Sequence, residues 1–425
     1  MKVAIIGTGI SGLAAAHRLQ DKADLTLFEA SRKPGGHANT VIAESERGFE
    51  SLDTGFIVYN DRNYPEFTRL LEGLEVASKP SSMSFSVSDK DFEYTGRTVN
   101  GLFAKRSNLV NPGFLRMLAE FPRFQRRLKE LAARGEGGPS LAEFLEEERF
   151  SNDLRDKVVV PLVSAVWSAD PEQMWTFPAG FLARFLDNHG LLSLRDRPQW
   201  RTVEGGSWNY VRALTDPMRD CIRTGAAVHS VQRHEDHVEV RVKGQPCEQF
   251  DQVVIATHSD QALRLLADPT REEREVLGGI AYQPNEAVLH TDESLMPRRK
   301  AAWASWNYHL LAEPTGATAL TYDMNRLQTL GCERQFCVTL NLTHRIDPKK
   351  IIEVIQYEHP VFTPDAVASQ DRWEEISGAD RIHFCGAYWR NGFHEDGAFT
   401  GLRAAKAVEL ALPAEAQRLV DRIAP

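Results

Sequence analysis

Nowhere in this 425-residue sequence does an apolar run reach the roughly 18 residues that a membrane-crossing helix needs, so no such helix is expected. Cysteine is scarce and scattered. The five residues Cys221, Cys247, Cys332, Cys337 and Cys385 are odd in number and include no CxxC pair, which predicts buried or idle thiols. Positive charge is in deficit, with a formal net charge of -9, and that argues against a nucleic-acid partner. No basic leader with a small-residue cleavage site precedes the first apolar residues, so a cytoplasmic protein is expected. No Ser-His-Asp or Cys-His order stands out for nucleophilic catalysis. What is present, 42% hydrophobic and 26% charged residues, is enough for a large core and two lobes.

The informative chemistry begins with "KVAIIGTGISGLAAAHRL". Val3 to Ile6 read as a buried parallel strand, and the small and apolar residues from Leu13 read as a helix packed on a sheet. Between them Gly7 permits a tight turn, Gly9 lets backbone approach a pyrophosphate, and Gly12 allows close helix-strand packing. Ile10 and Ser11 complete a loop whose phosphate would sit at the helix N-terminus. A second strand, "DLTLFEAS", ends on Glu29 and Ala30, where a carboxylate can accept from a ribose hydroxyl and repel a 2'-phosphate. An adenine dinucleotide is therefore expected, with NADP disfavoured and both NAD and FAD open.

A second glycine turn follows the acid, in "SRKPGGHANTV", where Gly35 and Gly36, just before His37 and Ala38, leave the backbone open to a ligand. A third small-residue turn, Thr54-Gly55-Phe56, lies in "ESLDTGFIVYN". Near the other end, "DRIHFCGAYWRNGFHEDGAFTGLRAAKAVELAL" has a strand ending at Gly386 and a helix opening at Asp396, Gly397 and Ala398. "VEGGSWNYVRALTD" and the strand pair in "AAVHSVQRHEDHVEVRV" lie between. These segments, in this order, resemble the flavoprotein superfamily of monoamine oxidases, protoporphyrinogen oxidases and phytoene desaturases.

That resemblance implies FAD. It implies that the 35–38 and 54–56 turns follow the pyrophosphate and flavin, that Val228 meets adenine through its backbone, and that Asp396 lies at the ribityl or flavin edge. It also implies that backbone N–H groups at the start of the last helix face the charge of reduced flavin. His37 stands where the oxidases often carry arginine, and could hydrogen-bond the cofactor or carry it covalently. The implied fold is α/β: a discontinuous Rossmann-like FAD-binding domain from 1–65, 200–272 and 368–425, and a substrate domain of mixed β-sheet capped by helices from 66–199 and 273–367.

Residues 64–200 read as largely helical after a strand pair near "SMSFSVSDKDFEYTG", with "ARGEGGPS" as an exposed turn. Residues 280–345 alternate as strands do. Trp167, Trp175, Trp303, Trp306, Tyr308 and Tyr322 fall in these stretches, and either a ring cage beside the flavin or ordinary core packing accounts for them. Between Lys105 and Arg134 eight basic and two acidic residues are mixed with Phe114, Leu115, Leu118, Phe121 and Phe124. Such a segment fits a peripheral contact with an anionic membrane, at its inner face, or a solvated helix with one side on the core. Adjacent His394, Glu395 and Asp396 do not converge easily on one metal, and no metal is expected.

The resemblance implies hydride transfer to flavin N5, with the flavin itself as the catalytic group. Lys300, Trp306 and Tyr308 are the candidates to face it. The basic-apolar segment favours an apolar lipid acyl or isoprenoid substrate and a dehydrogenase or desaturase of the bacterial lipid-acting branch. Amine oxidation and a redox-neutral flavin isomerase or binding module are the alternatives. Oxygen, a quinone or a carrier protein would each reoxidise the flavin without a short motif to mark it.

Overall fold

Lys2–Ile6 forms the middle strand of a five-stranded parallel sheet in the computed structural model, which describes residues 1–134, 138–190, 192, 198–313 and 315–412. The order across the sheet is Ile222–Arg223, Asp24–Phe28, Lys2–Ile6, Gln252–Ile255, Ile382–Phe384, so widely separated parts of the chain build one layer. Each central strand is apolar on both faces, as a parallel sheet covered on two sides requires. Val3 and Ile5 point to one face, with helices Ile10–Leu19 and His394–Leu410. Ala4 and Ile6 point to the other, against the antiparallel strands Val228–Arg233, Val238–Val242 and Glu248–Phe250.

The second layer system is a seven-stranded mixed sheet, ordered Ile351–Val361, Ala281–His290, Cys337–Leu340, Leu320–Asp323, Trp306–His309, Phe85–Ser88, Glu93–Thr95. Only Trp306–His309 and Phe85–Ser88 pair in parallel. Helices Pro112–Ala132, Leu141–Glu147, Val160–Trp167 and Ala179–Asn188 cover one face in a single apolar cluster, the expected helical cap. Ile351–Val361, which the alternation ending near 345 does not reach, pairs with Ala281–His290 along its length.

Two features lie next to the expected seam between the lobes. Helix Pro65–Gly73 buries Phe67 and Leu71 in the cluster of the glycine-loop helix. Strand Ser78–Pro80 pairs with Trp200–Val203, which also pairs with Tyr59–Asn60. Chain up to about 80 thus packs with the nucleotide layer, because its apolar residues are buried there. The "ARGEGGPS" turn lies partly outside the described residues. The five cysteines are free, with Cys337 and Cys385 buried. Among the described residues no helix is long and apolar enough to cross a membrane.

Candidate functional site

At the carboxyl end of the central strand Gly7 turns with φ +100° and donates its N–H to the Phe28 carbonyl at 2.8 Å. A side chain at Gly12 would collide with the Gly7 carbonyl oxygen. From the last helix, a Cβ at Gly397 would come within 2.6 Å of Ile10 Cγ2, and one at Gly401 would strike the Ser11 carbonyl oxygen. These glycines let two helices touch through their backbones, so the N-terminal turn of the last helix lies against the start of the first. Gly9 differs, because a Cβ there would meet nothing within 4 Å. That open cradle sits at a helix start, where unpaired N–H groups and the positive end of the dipole suit a pyrophosphate. Gly36, at φ +57°, passes over Gly9, with Gly35 turned on the Ala38 N–H at 3.0 Å.

Glu29, expected to hold a ribose, is buried and already engaged. Its carboxylate accepts from the Thr8 N–H at 3.0 Å, the Ser31 N–H at 2.8 Å and the Thr8 hydroxyl. A carboxylate has about four acceptor sites, so one remains for a ribose hydroxyl while the others fix the glycine loop. The Ala226 N–H donates to the Glu29 carbonyl at 2.8 Å, bringing the chain that leads to half-buried Val228 beside the acid. Ala30 is exposed next to it.

At the opposite end of the cradle, the His37 ring stacks on Tyr357 at 4.8 Å and 24°. Burial, then neighbouring His359 and His258, hold His37 well below the usual imidazole range, so the ring is neutral. Its Nε2 is buried without a partner, an orphaned polar atom that fits a hydrogen bond to a bound cofactor. The His37 carbonyl accepts from the Phe56 N–H at 2.8 Å, and a Cβ at Gly55 would run into that same oxygen. Thr54 Oγ1 lies 3.0 Å from the Tyr357 hydroxyl and 2.8 Å from Asn39 Nδ2. Tyr357 and His359 belong to the strand that alternation did not reach, so no local signal announced them.

His394, Glu395 and Asp396 go three separate ways. His394 stacks on Phe56 at 3.7 Å and meets the Tyr210 hydroxyl at 2.6 Å. Glu395 accepts from the Glu66 and Phe67 N–H groups at 3.1 and 3.0 Å, capping helix Pro65–Gly73. Asp396, expected at the ribityl edge, turns back on its own helix: it accepts from the Phe393 N–H at 2.9 Å and faces Arg390 at 3.5 Å. Burial pushes it up to about 6. Gly386 is tied to this helix by Thr400, whose Oγ1 accepts from the Gly386 N–H and donates to its carbonyl, both at 3.0 Å. Ala398 is buried in the helix-crossing cluster.

Asp53, which sequence reading passed over, is fully buried and joins three segments. It accepts from the Thr40 hydroxyl at 2.6 Å, the Ser207 N–H and hydroxyl at 2.8 and 2.7 Å, and Gln328 Nε2 at 3.1 Å. Burial pushes it up to about 6.

Of the six candidate cage aromatics, Trp306 and Tyr322 meet edge to face at 5.3 Å. With Tyr308, Trp167 and Trp175 they line the seam between mixed sheet and helices. Trp303 stands apart, its Nε1 bonded to the Pro297 carbonyl at 2.6 Å. Lys300, offered as a catalytic candidate, is exposed on a surface turn with its ammonium 5.3 Å over the Trp303 ring. It does not gather with the glycine loops because its turn packs on the outer helix Val99–Leu102.

One unforeseen group, His234, His237 and Glu239, has ligand-type atoms within 4.8 Å of one another. The two imidazoles stack nearly parallel, at 4.5 Å and 10°. A metal lies near the plane of each ring it binds, and two parallel planes share no such point, so this group is hairpin packing.

A family model described as flavin containing amine oxidoreductase matches residues 10–324. Protoporphyrinogen oxidase 2 of Arabidopsis thaliana is 25% identical over 180 residues, 41% of this chain and 34% of that protein, so the match spans about a third of this relative's length. Cyclohexylamine oxidase from Brevibacterium oxydans IH-35A superposes with a TM-score of 0.72 at 18% identity, over 97% of this chain and 99% of that one. A CLA-producing fatty acid isomerase from P. acnes superposes at 0.67 with 14% identity, over 97% and 98% of the two chains.

Proposed function

Because this chain belongs to the flavin-containing amine oxidoreductases, with FAD as cofactor, we propose that it is a dehydrogenase or desaturase acting on an apolar substrate, a lipid acyl chain or an isoprenoid. The observation carrying this reading is the aromatic wall that reaches the start of the last helix. Trp167 lies 4.7 Å from Phe185, which stacks on Phe393 at 5.0 Å, and Trp167 Nε1 donates to the Asn391 carbonyl at 3.0 Å. Phe181 and Phe362 extend the same wall, stacked at 5.4 Å. An apolar chain against such rings needs no charged anchor, since roughly ten buried methylenes contribute on the order of 8 kcal/mol before ordering costs.

Bound FAD would supply the hydride acceptor for oxidation of a substrate C–H bond. The chain supplies the rest. Gly9 and the first-turn N–H groups would hold the pyrophosphate, and Glu29, which fixes the loop through Thr8, would accept from the ribose. The N–H groups opening helix His394–Leu410 present positive potential where charge develops, and the aromatic wall excludes water. A cytoplasmic setting suits five unpaired thiols.

Anaerobic mixing tests the substrate class. A long-chain acyl lipid should bleach the yellow flavin, while cyclohexylamine or putrescine should not. Bleaching by an amine alone replaces this reading with amine oxidation. A shifted double bond without net bleaching replaces it with isomerisation, a reading that the fatty acid isomerase of the same fold supports.

A further inference from the structure

We propose that the protein docks on an anionic lipid bilayer through the outer end of its helical cap. Four large apolar side chains stand in solvent within one stretch: Val99 at 76%, Leu109 at 51%, Val110 at 80% and Leu115 at 42% exposure. Isolated exposed apolar residues are ordinary, but a cluster marks a contact surface. Structure brings these positions together. Arg106 bonds Asn100 Oδ1 at 2.8 Å, holding the turn Arg106–Val110 to helix Val99–Leu102, and that turn leads directly into helix Pro112–Ala132.

The rim of this surface comes partly from 200 residues away. A Cβ at Gly101 would come within 2.9 Å of the Ala301 carbonyl, so the basic run Arg298, Arg299, Lys300 lies beside Val99–Leu102. Arg299 pairs with Glu93, and Arg116 with Glu120 at 3.0 Å. Lys105, Arg106 and Arg298 spend donors on the neutral groups of Asp91, Phe103 and Lys90 backbone, and Lys300 rests on Trp303. With Asp89 and Asp91 the acids in the adjoining turn, cations still predominate, on a chain of net charge -9. Exposed apolar side chains ringed by lysine and arginine are complementary to an anionic headgroup layer with acyl chains beneath, whereas a protein partner would need matching carboxylates. The excess of basic over acidic residues read from 105–134 is partly offset here, since Arg116 and Arg127 are paired with glutamates on or beside their own helix.

This surface extends the lipid reading and is carried by its own observations. Flotation of the FAD-loaded protein with phosphatidylcholine vesicles, with and without phosphatidylglycerol, tests it. Binding is expected only with phosphatidylglycerol, weakening as salt is raised. Val110→Asp or Leu109→Asp should lower partition at least tenfold, and Arg298→Gln about fivefold, with flavin content and circular dichroism unchanged. Equal binding to both vesicle types, no binding to either, or binding that Val110→Asp leaves intact overturns the proposal. So does a dimer in solution that Val110→Asp dissociates, since the face would then meet a second copy. Flavin bleaching by a detergent-solubilised lipid reads the substrate class independently, so either idea can fail alone.

Discussion

A methyl group added at Gly9 meets open space, whereas at Gly401 it strikes the Ser11 carbonyl. Substitution should therefore separate two kinds of damage. Gly9→Val should purify without flavin yet unfold in urea within about 0.5 kcal/mol of wild-type apoprotein. Gly401→Ala should cost about 1–3 kcal/mol of stability with or without FAD, because two helices must part. The ratio of flavin to protein absorbance and a urea titration check both. At this scale the sequence disclosed Gly7, Gly9 and Gly12, whose constraints lie within one strand-turn-helix, and Glu29 at the end of the strand that follows. It did not disclose His37 on Tyr357, or Asp53 on Ser207, because those partners come from distant segments.

Helix Pro65–Gly73 opens on Pro65 with no side-chain cap of its own, and Glu395 supplies one from the far end of the chain. Glu395→Ala should remove about 1–2 kcal/mol of stability. Hydrogen exchange should quicken at the Glu66 and Phe67 amides while the central parallel strands keep their protection; unchanged exchange there would sink the capping role. Periodicity conveys some elements and leaves others without a trace. Strands 306–309, 320–323 and 337–340 are mostly buried and carry aromatic, Val or Thr residues, and they are legible. Ile351–Val361 is an edge strand carrying Glu353, Gln356 and Glu358 with mixed exposure, so its pairing with Ala281–His290 leaves little periodic trace.

Acid should act on the whole molecule earlier than ordinary carboxylate titration would. Burial lowers His189, His290, His309, His359 and His383 to about 4 and His394 to about 3, from 6.5. Each is neutral in the fold, so its contribution is complete above 6.5 and is lost as pH falls through about 4. Asp53 and Asp396, pushed up to about 6, act oppositely: they favour the fold when protonated and lose that contribution as pH rises from 3.8 through about 6. Six histidines outweigh two aspartates, so the melting temperature should decline steadily from about pH 6.5 to 4. A flat profile there would contradict the buried, neutral assignments. The two-lobe division was legible because nucleotide motifs recur at both ends of the chain, while the packing of 65–80 against the nucleotide layer was not, since it depends on side chains from distant segments meeting.

The crossing of the first and last helices, closed by Gly397 and Gly401 and by Glu409 on Arg18 and Lys22, also sets a timetable for biosynthesis. The glycine loop is made long before the fifth strand of its sheet, Ile382–Phe384, and its covering helix, His394–Leu410. A nascent chain would therefore offer FAD an incomplete cradle until that helix is made, and flavin capture is expected to follow its synthesis.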